Sequence, residues 1–166
     1  MRTPLLSGQA LAERWRAIQP YVRGRLLDIG CGLTTWTESF QSDQVYVGVD
    51  INEQSLAQMR QRYPHHEYIQ RDLDVEDLGL AGRQFDTIIM TAVLEHLHQP
   101  RRVVTAARSL LAPNGVFLAT TPSPWGDIVH RLGSRVNLFY AESVVKHIKI
   151  FNRHELLEMM TQCGYE

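Results

Sequence analysis

A carboxylate at Asp28, the glycine pair in Gly30-Cys31-Gly32 and a second carboxylate at Asp50, 20 positions beyond Gly30, form a pattern with a chemistry of its own. Glycines at a turn let a ligand approach the backbone closely, because no Cβ stands in the way. A carboxylate at the end of the next apolar run can accept hydrogen bonds from both hydroxyls of an unmodified ribose, and it would repel a 2′-phosphate. Thr35 stands where a dinucleotide fingerprint G-x-G-x-x-G would place its third glycine, which argues against a pyrophosphate seated at this turn. Asp28 adds negative charge nearby, so electrostatics favours a nucleoside that carries positive charge and no phosphate.

A second group of candidates follows the apolar run Phe85–Met90: Glu95 and His96 come just after it, and His147 precedes the last helical stretch. A carboxylate beside an imidazole can move a proton near neutral pH, where histidine titrates. These three are the candidates for acid–base work. Asp86 reads as structural, Cys31 as a small residue in a tight turn and His98 as a solvated helix residue. Trp125, His130, Phe139 and Tyr140 can hold a flat ligand by their faces or close a core beneath a covering segment.

These residues need elements to position them. Ala10, Leu11, Trp15 and Ile18 fall at helical spacing between Ser7 and Gln19 and stop at Pro20, giving an N-terminal helix within residues 1–20. Arg25–Ile29 reads as a strand entering the glycine turn, Thr34–Phe40 as a short helix, and Val45–Val49 as a β-branched strand ending at Asp50. Gln54–Arg62 then predicts a helix, His66–Gln70 a third strand, Arg71–Gly82 an acidic loop and Phe85–Met90 a central strand apolar on both faces. A helix over Pro100–Leu111, a turn at Pro113-Asn114-Gly115, a fifth strand over Val116–Thr120 and an Asn152-capped helix over Arg153–Gln162 complete the reading. Strands alternating with helices imply right-handed crossovers. The expected fold is therefore α/β, a Rossmann-like doubly wound sheet of about five parallel strands flanked by helices, with ligands at the carboxyl ends of the strands. Residues 122–147 break the alternation, are long, and contain Pro124, Gly126 and Gly133, as a substrate cover would. The chain 1–166 reads as a single domain.

Composition narrows the function classes. With 166 residues, 17 basic and 18 acidic side chains and a net charge of −1, one ordinary domain is expected, without the basic field that collects nucleic acid or anionic membrane. Cys31 and Cys163, the two cysteines, show no C-x-x-C spacing, which predicts a reducing, cytoplasmic setting and no disulfide framework. No apolar run reaches the length of a membrane span.

With these elements in order, the sequence resembles the class I S-adenosylmethionine-dependent methyltransferases over about Val22 to Tyr165. Leu27-Asp28-Ile29-Gly30-Cys31-Gly32 is similar to that family's first motif, and Gly48-Val49-Asp50 to its ribose-binding strand end, with Ile51 following. Arg71-Asp72-Leu73 resembles the segment whose Asp and next backbone amide read adenine. Phe85–Met90 with Val93-Leu94-Glu95-His96-Leu97 resembles the fourth motif, and Leu110–Val116 the entry to the fifth strand. The resemblance implies S-adenosylmethionine as cofactor, held by Asp28, Gly30, Gly32, Asp50, Ile51, Asp72, Leu73 and Thr91, with Thr91 lying under it. A sulfonium and an ammonium suit the carboxylates near the turn.

Methyl transfer from a sulfonium is an in-line displacement, so the protein mostly aligns donor and acceptor and removes a proton where needed. The resemblance extends to ubiquinone-pathway O-methyltransferases and small-RNA 2′-O-methyltransferases, which carry a divalent-metal set of the form Glu-x-x-Glu-His with a distant His. Here Glu95, His96 and His147 match and Ala92 stands where the first Glu would be. With a ligand and its charge missing, the three residues read as general-base or substrate-orienting groups or as a purely structural network, with metal-assisted catalysis as the lesser alternative. The leading reading is a small-molecule methyltransferase, with oxygen the first-ranked acceptor atom and nitrogen or carbon open. Its rivals are an RNA methyltransferase and a cofactor-binding regulatory module without catalysis. The chain also stops after Gly164-Tyr165, before the further strands that the resemblance implies, so the reading predicts either a shortened chain or a homodimer across the edge of strand 116–120.

Overall fold

The computed structural model describes residues 7–34, 36, 44–121, 148–149 and 151–166. Five strands form one sheet in the order β3-β2-β1-β4-β5: β1 Leu26–Ile29, β2 Tyr46–Asp50, β3 Glu67–Gln70, β4 Phe85–Thr91 and β5 Leu111–Thr120. All pair in parallel. Parallel strands need crossovers, and among the described residues α2 (Glu53–Arg62) and α3 (Pro100–Ser109) supply two of them. Helix α1 (Ser7–Ile18) precedes the sheet and α4 (Arg153–Gln162) follows it. The short helix expected over 34–40 and the cover expected over 122–147 lie outside the described residues.

The apolar patterning explains the layers. Leu27 and Ile29 of β1 join Val47, Val49, Ile88 and Met90 in one cluster beneath α3 and α4, whereas Leu26, Tyr46, Leu56 and Ile89 join Trp36 and Ile18 in the other. Alternate residues of each strand thus serve opposite faces, the period-two rule applied to a sheet covered on both sides. Trp15 of α1 stacks on Trp36, with centroids 5.6 Å apart. Asp86 is structural, as expected: Arg25 donates to it through Nε at 3.0 Å and its backbone N–H at 2.8 Å.

Two boundaries differ from the sequence reading. Helix α3 ends at Ser109 and strand β5 already begins at Leu111. Pro113-Asn114-Gly115 is a bulge inside β5: the ladder pairs Phe85 with Leu111 and then Thr87 with Val116, with Asn114 at φ +61°. Turn-forming residues can interrupt a strand as well as precede one. Beyond β5 no strand pairs with it among the described residues. Tyr165, just past α4, covers one face of it, its ring 4.9 Å from that of Phe117.

Candidate cofactor groove

The order of the strands creates a crevice. From β1 the sheet grows one way to β2 and β3 and the other way to β4 and β5, and the carboxyl ends of the strands flanking such a reversal leave room for a ligand. The glycine turn rises from β1 and folds over the end of β2, where the N–H groups of Gly30 and Cys31 both donate to the Val49 carbonyl, at 2.7 and 3.1 Å. It then reaches Asp50. The Gly32 N–H donates to Asp50 Oδ2 and the Asn52 N–H to Oδ1, each at 2.8 Å. Asn52 is itself fixed, because its side chain caps α2 by accepting from the Ser55 N–H. Asp50 is thereby held at the mouth of the crevice, half-buried, and each carboxylate oxygen retains acceptor capacity for a ligand. Gly32, at φ +51°, leaves open space where a side chain would begin: the nearest atom to an added Cβ is Asp50 Oδ2, 4.0 Å away.

From this turn a groove of about 640 Å³ extends toward the ends of β3 and β4. Its lining combines apolar Ile51, Leu73, Leu97 and Ile148 with the carboxylates of Asp50, Asp72 and Asp74, opposed by one guanidinium, Arg71. That balance repels phosphate and attracts a cation. The loop after β3 is tightly pinned: Asp72 accepts from the Asp74 N–H at 3.0 Å and donates its own N–H to Glu76, while Arg102 of α3 donates to the Leu73 carbonyl. His98 closes this end, its Nδ1 2.9 Å from Asp74 Oδ2. His98 is mostly exposed, as expected, but stands in the loop before α3 and pairs with a carboxylate. Against the desolvation that would raise it, the hydrogen bonds from His98 and the Gln99 backbone hold the Asp74 carboxyl below the ordinary range.

Glu95 and His96 sit in a single 3-10 turn, Leu94–His96, directly after β4. His96 lines the groove, whereas Glu95 is fully buried. The Glu95 carbonyl accepts from the N–H groups of Ile148 at 2.8 Å and Lys149 at 3.3 Å, which draws the residue after His147 against the groove. His147 itself, with Thr35, Trp125, His130, Phe139 and Tyr140, lies outside the described residues.

Of the eight residues expected to hold the cofactor, Gly30, Asp50, Ile51, Asp72 and Leu73 line this groove, and Gly32 adjoins it through Asp50. Asp28 and Thr91 do not line it. Both are buried, Asp28 on the Leu26 side of β1. Its Oδ2 accepts from Trp36 Nε1 at 3.0 Å and from the Tyr46 hydroxyl at 2.9 Å, and Oδ1 has no hydrogen-bond partner among the described residues. It pairs with no arginine there and ties two aromatic side chains together. Burial pushes its carboxyl up to about 7 against the two hydrogen bonds. Arg71, Val93 and Leu97 lie within the segments that carry the resemblance but take no role from it, and the sequence does not predict Asp74 and Ile148 as groove residues. For Ile148, brought in from far along the chain, local patterns carry no signal.

A doubly wound parallel sheet with an anchored carboxylate, Asp50, at its switch point is the architecture of nucleotide- and nucleoside-binding α/β domains. The comparisons name the family. A methyltransferase-domain family model matches residues 8–166, and this chain belongs to that family, of the class I S-adenosylmethionine-dependent type. A ubiquinone biosynthesis O-methyltransferase of Dinoroseobacter shibae is 32% identical over 127 residues, covering 73% of this chain and 51% of that protein. Among solved structures, an S-adenosylmethionine-dependent methyltransferase from Mesorhizobium loti superposes with a TM-score of 0.70 at 23% identity, over 96% of this chain and 82% of that one. An amino pentose methyltransferase from Micromonospora echinaspora, solved with S-adenosylmethionine bound, gives a TM-score of 0.53 at 28% identity, over 75% of this chain and 53% of that one. The chain spans about half the length of the first curated relatives it matches. Among the described residues no helix is long and apolar enough to cross a membrane.

Proposed function

We propose that this protein transfers the methyl group of S-adenosylmethionine to an oxygen atom of a small-molecule acceptor. The observation that carries the reading is Asp50, fixed between the Gly32 and Asn52 amides at the switch point of the sheet, in a groove with three carboxylates to one guanidinium. In this reading Asp50 accepts the ribose hydroxyls, Asp72 and Leu73 meet the adenine, and the open space at Gly32 admits the amino-acid arm. His96, on the groove wall, and His147 orient the acceptor or take its proton, the buried Glu95 holds Ile148 and Lys149 through its carbonyl, and residues 122–147 cover the acceptor. The oxygen acceptor is suggested by O-methyltransferase relatives 29% and 32% identical to this chain.

The test is calorimetry followed by an acceptor screen. S-adenosylhomocysteine is expected to bind, and NADH and ATP are not; heat from either nucleotide with none from S-adenosylhomocysteine rejects the reading. Methyl-labelled S-adenosylmethionine offered with phenols, amines and RNA then reads the acceptor class, with label expected in the phenols. Label in RNA or amines alone replaces the acceptor, and binding without transfer to any acceptor favours a regulatory module.

A further inference from the structure

The first glycine of the turn does not face open space. Gly30 has φ +77°, and a Cβ added to it would lie 2.2 Å from Val93 Cγ2 and 3.3 Å from Val93 Cβ and Cγ1. The position is filled by the protein's own side chain, in contrast to Gly32. Val93 belongs to the loop after β4, and its carbonyl accepts the His96 N–H at 2.9 Å. The residue before it, Ala92, holds φ +55°, a conformation that an L residue keeps only where surrounding contacts over-determine it. Its N–H donates to the Thr120 carbonyl at 2.8 Å, one step beyond the β4–β5 ladder. The backbone therefore turns sharply at Ala92, and Val93 comes to rest on Gly30. A β-branched side chain is stiff about χ1, which makes this contact a wedge rather than a flexible brush.

We infer that Val93 is a positioning residue, seated in the socket left by Gly30, that locks the loop bearing Glu95 and His96 to the turn that anchors Asp50. The inference rests on the cofactor reading of the groove. It assigns the two glycines different work: Gly32 leaves room for the ligand and Gly30 leaves room for Val93. The donor side and the proton-moving side of the groove are then one mechanical unit, and a change at the wedge alters both.

The test compares the wild type with Gly30→Ala, Val93→Ala and the double variant. Gly30→Ala is expected to weaken S-adenosylhomocysteine binding by at least about tenfold, and adding Val93→Ala is expected to recover most of that loss, since neighbours in contact are coupled. The backbone strain of alanine at position 30 is common to both proteins, so the recovery reads the clash alone. Val93→Ala by itself is expected to move the titration midpoint of the His96 ring, followed by NMR, whereas a packing role alone would lower the melting temperature and leave that midpoint in place. A double variant that binds no better than Gly30→Ala, or an unmoved His96 midpoint, overturns the inference. If the wild type binds no S-adenosylhomocysteine, the cofactor reading has failed; the wedge is then read from melting temperatures, which the second substitution must restore, and from the same His96 midpoint.

Discussion

Asp28 and Asp50 are chemically identical and 22 positions apart, yet their surroundings assign them opposite tasks. Asp50 is half-buried and accepts from the Gly32 and Asn52 backbone amides, one on each carboxylate oxygen. Replacing it with alanine is expected to weaken S-adenosylhomocysteine binding by about 1–3 kcal/mol, the range of charge-assisted hydrogen bonds, which calorimetry reads as roughly 5- to 150-fold. Asp28 is sealed in the interior with one oxygen unpartnered among the described residues, and burial raises its pKa from the ordinary 3.8 to about 7. The folded state therefore binds more protons than the unfolded state between about pH 4 and 7, and Asp28 removes stability as pH rises through that window. His66 works in the other direction, because burial lowers its pKa from 6.5 to about 4, so its contribution is lost as pH falls. The expected result is a stability difference between wild type and Asp28→Asn that shifts in favour of Asn from pH 4 to pH 7, measured by urea midpoints. A constant difference would show that Asp28 keeps its proton balance on folding.

At the scale of elements, the last helix is the clearest case of local chemistry deciding structure. Asn152 accepts from the Glu155 N–H at 2.9 Å and Glu155 accepts from the Asn152 N–H at 3.0 Å, a complete capping box. Asn152→Ala is expected to cost about 1 kcal/mol, a fall in melting temperature of about 2–4 °C. This pattern was legible, since Asn152 and the following apolar spacing need no tertiary context. The bulge in β5 was not. Pro113-Asn114-Gly115 satisfies the preferences of a turn and of a bulge equally, and only pairing with β4 selects between them. The loop after β3 shows the same division: its acids were visible, but Arg102 on the Leu73 carbonyl and His98 on Asp74 come from 24 or more positions away.

The whole molecule responds to its ligand through linkage. If S-adenosylhomocysteine binds the folded chain alone, a concentration 100 times its Kd adds about 2.7 kcal/mol, seen as a rise of roughly 5–10 °C in the melting temperature. NADH at the same concentration is expected to leave it unchanged, and an equal rise with NADH would count against a groove lined by three carboxylates. Alternating strand and helix patterns were sufficient from the sequence to give the parallel sheet, because backbone preferences and burial periodicity act over short stretches. The glycine turn and the acid at the end of β2 marked one end of the groove, and Ile51, Asp72 and Leu73 followed from the resemblance to the methyltransferases. Which way the side chain of Asp28 is turned, that the room at Gly30 belongs to Val93, and that Ile148 is drawn against Glu95 were decided only by the tertiary structure. Each depends on contacts between residues far apart in the chain, where packing and the satisfaction of buried polar groups act after the elements have formed.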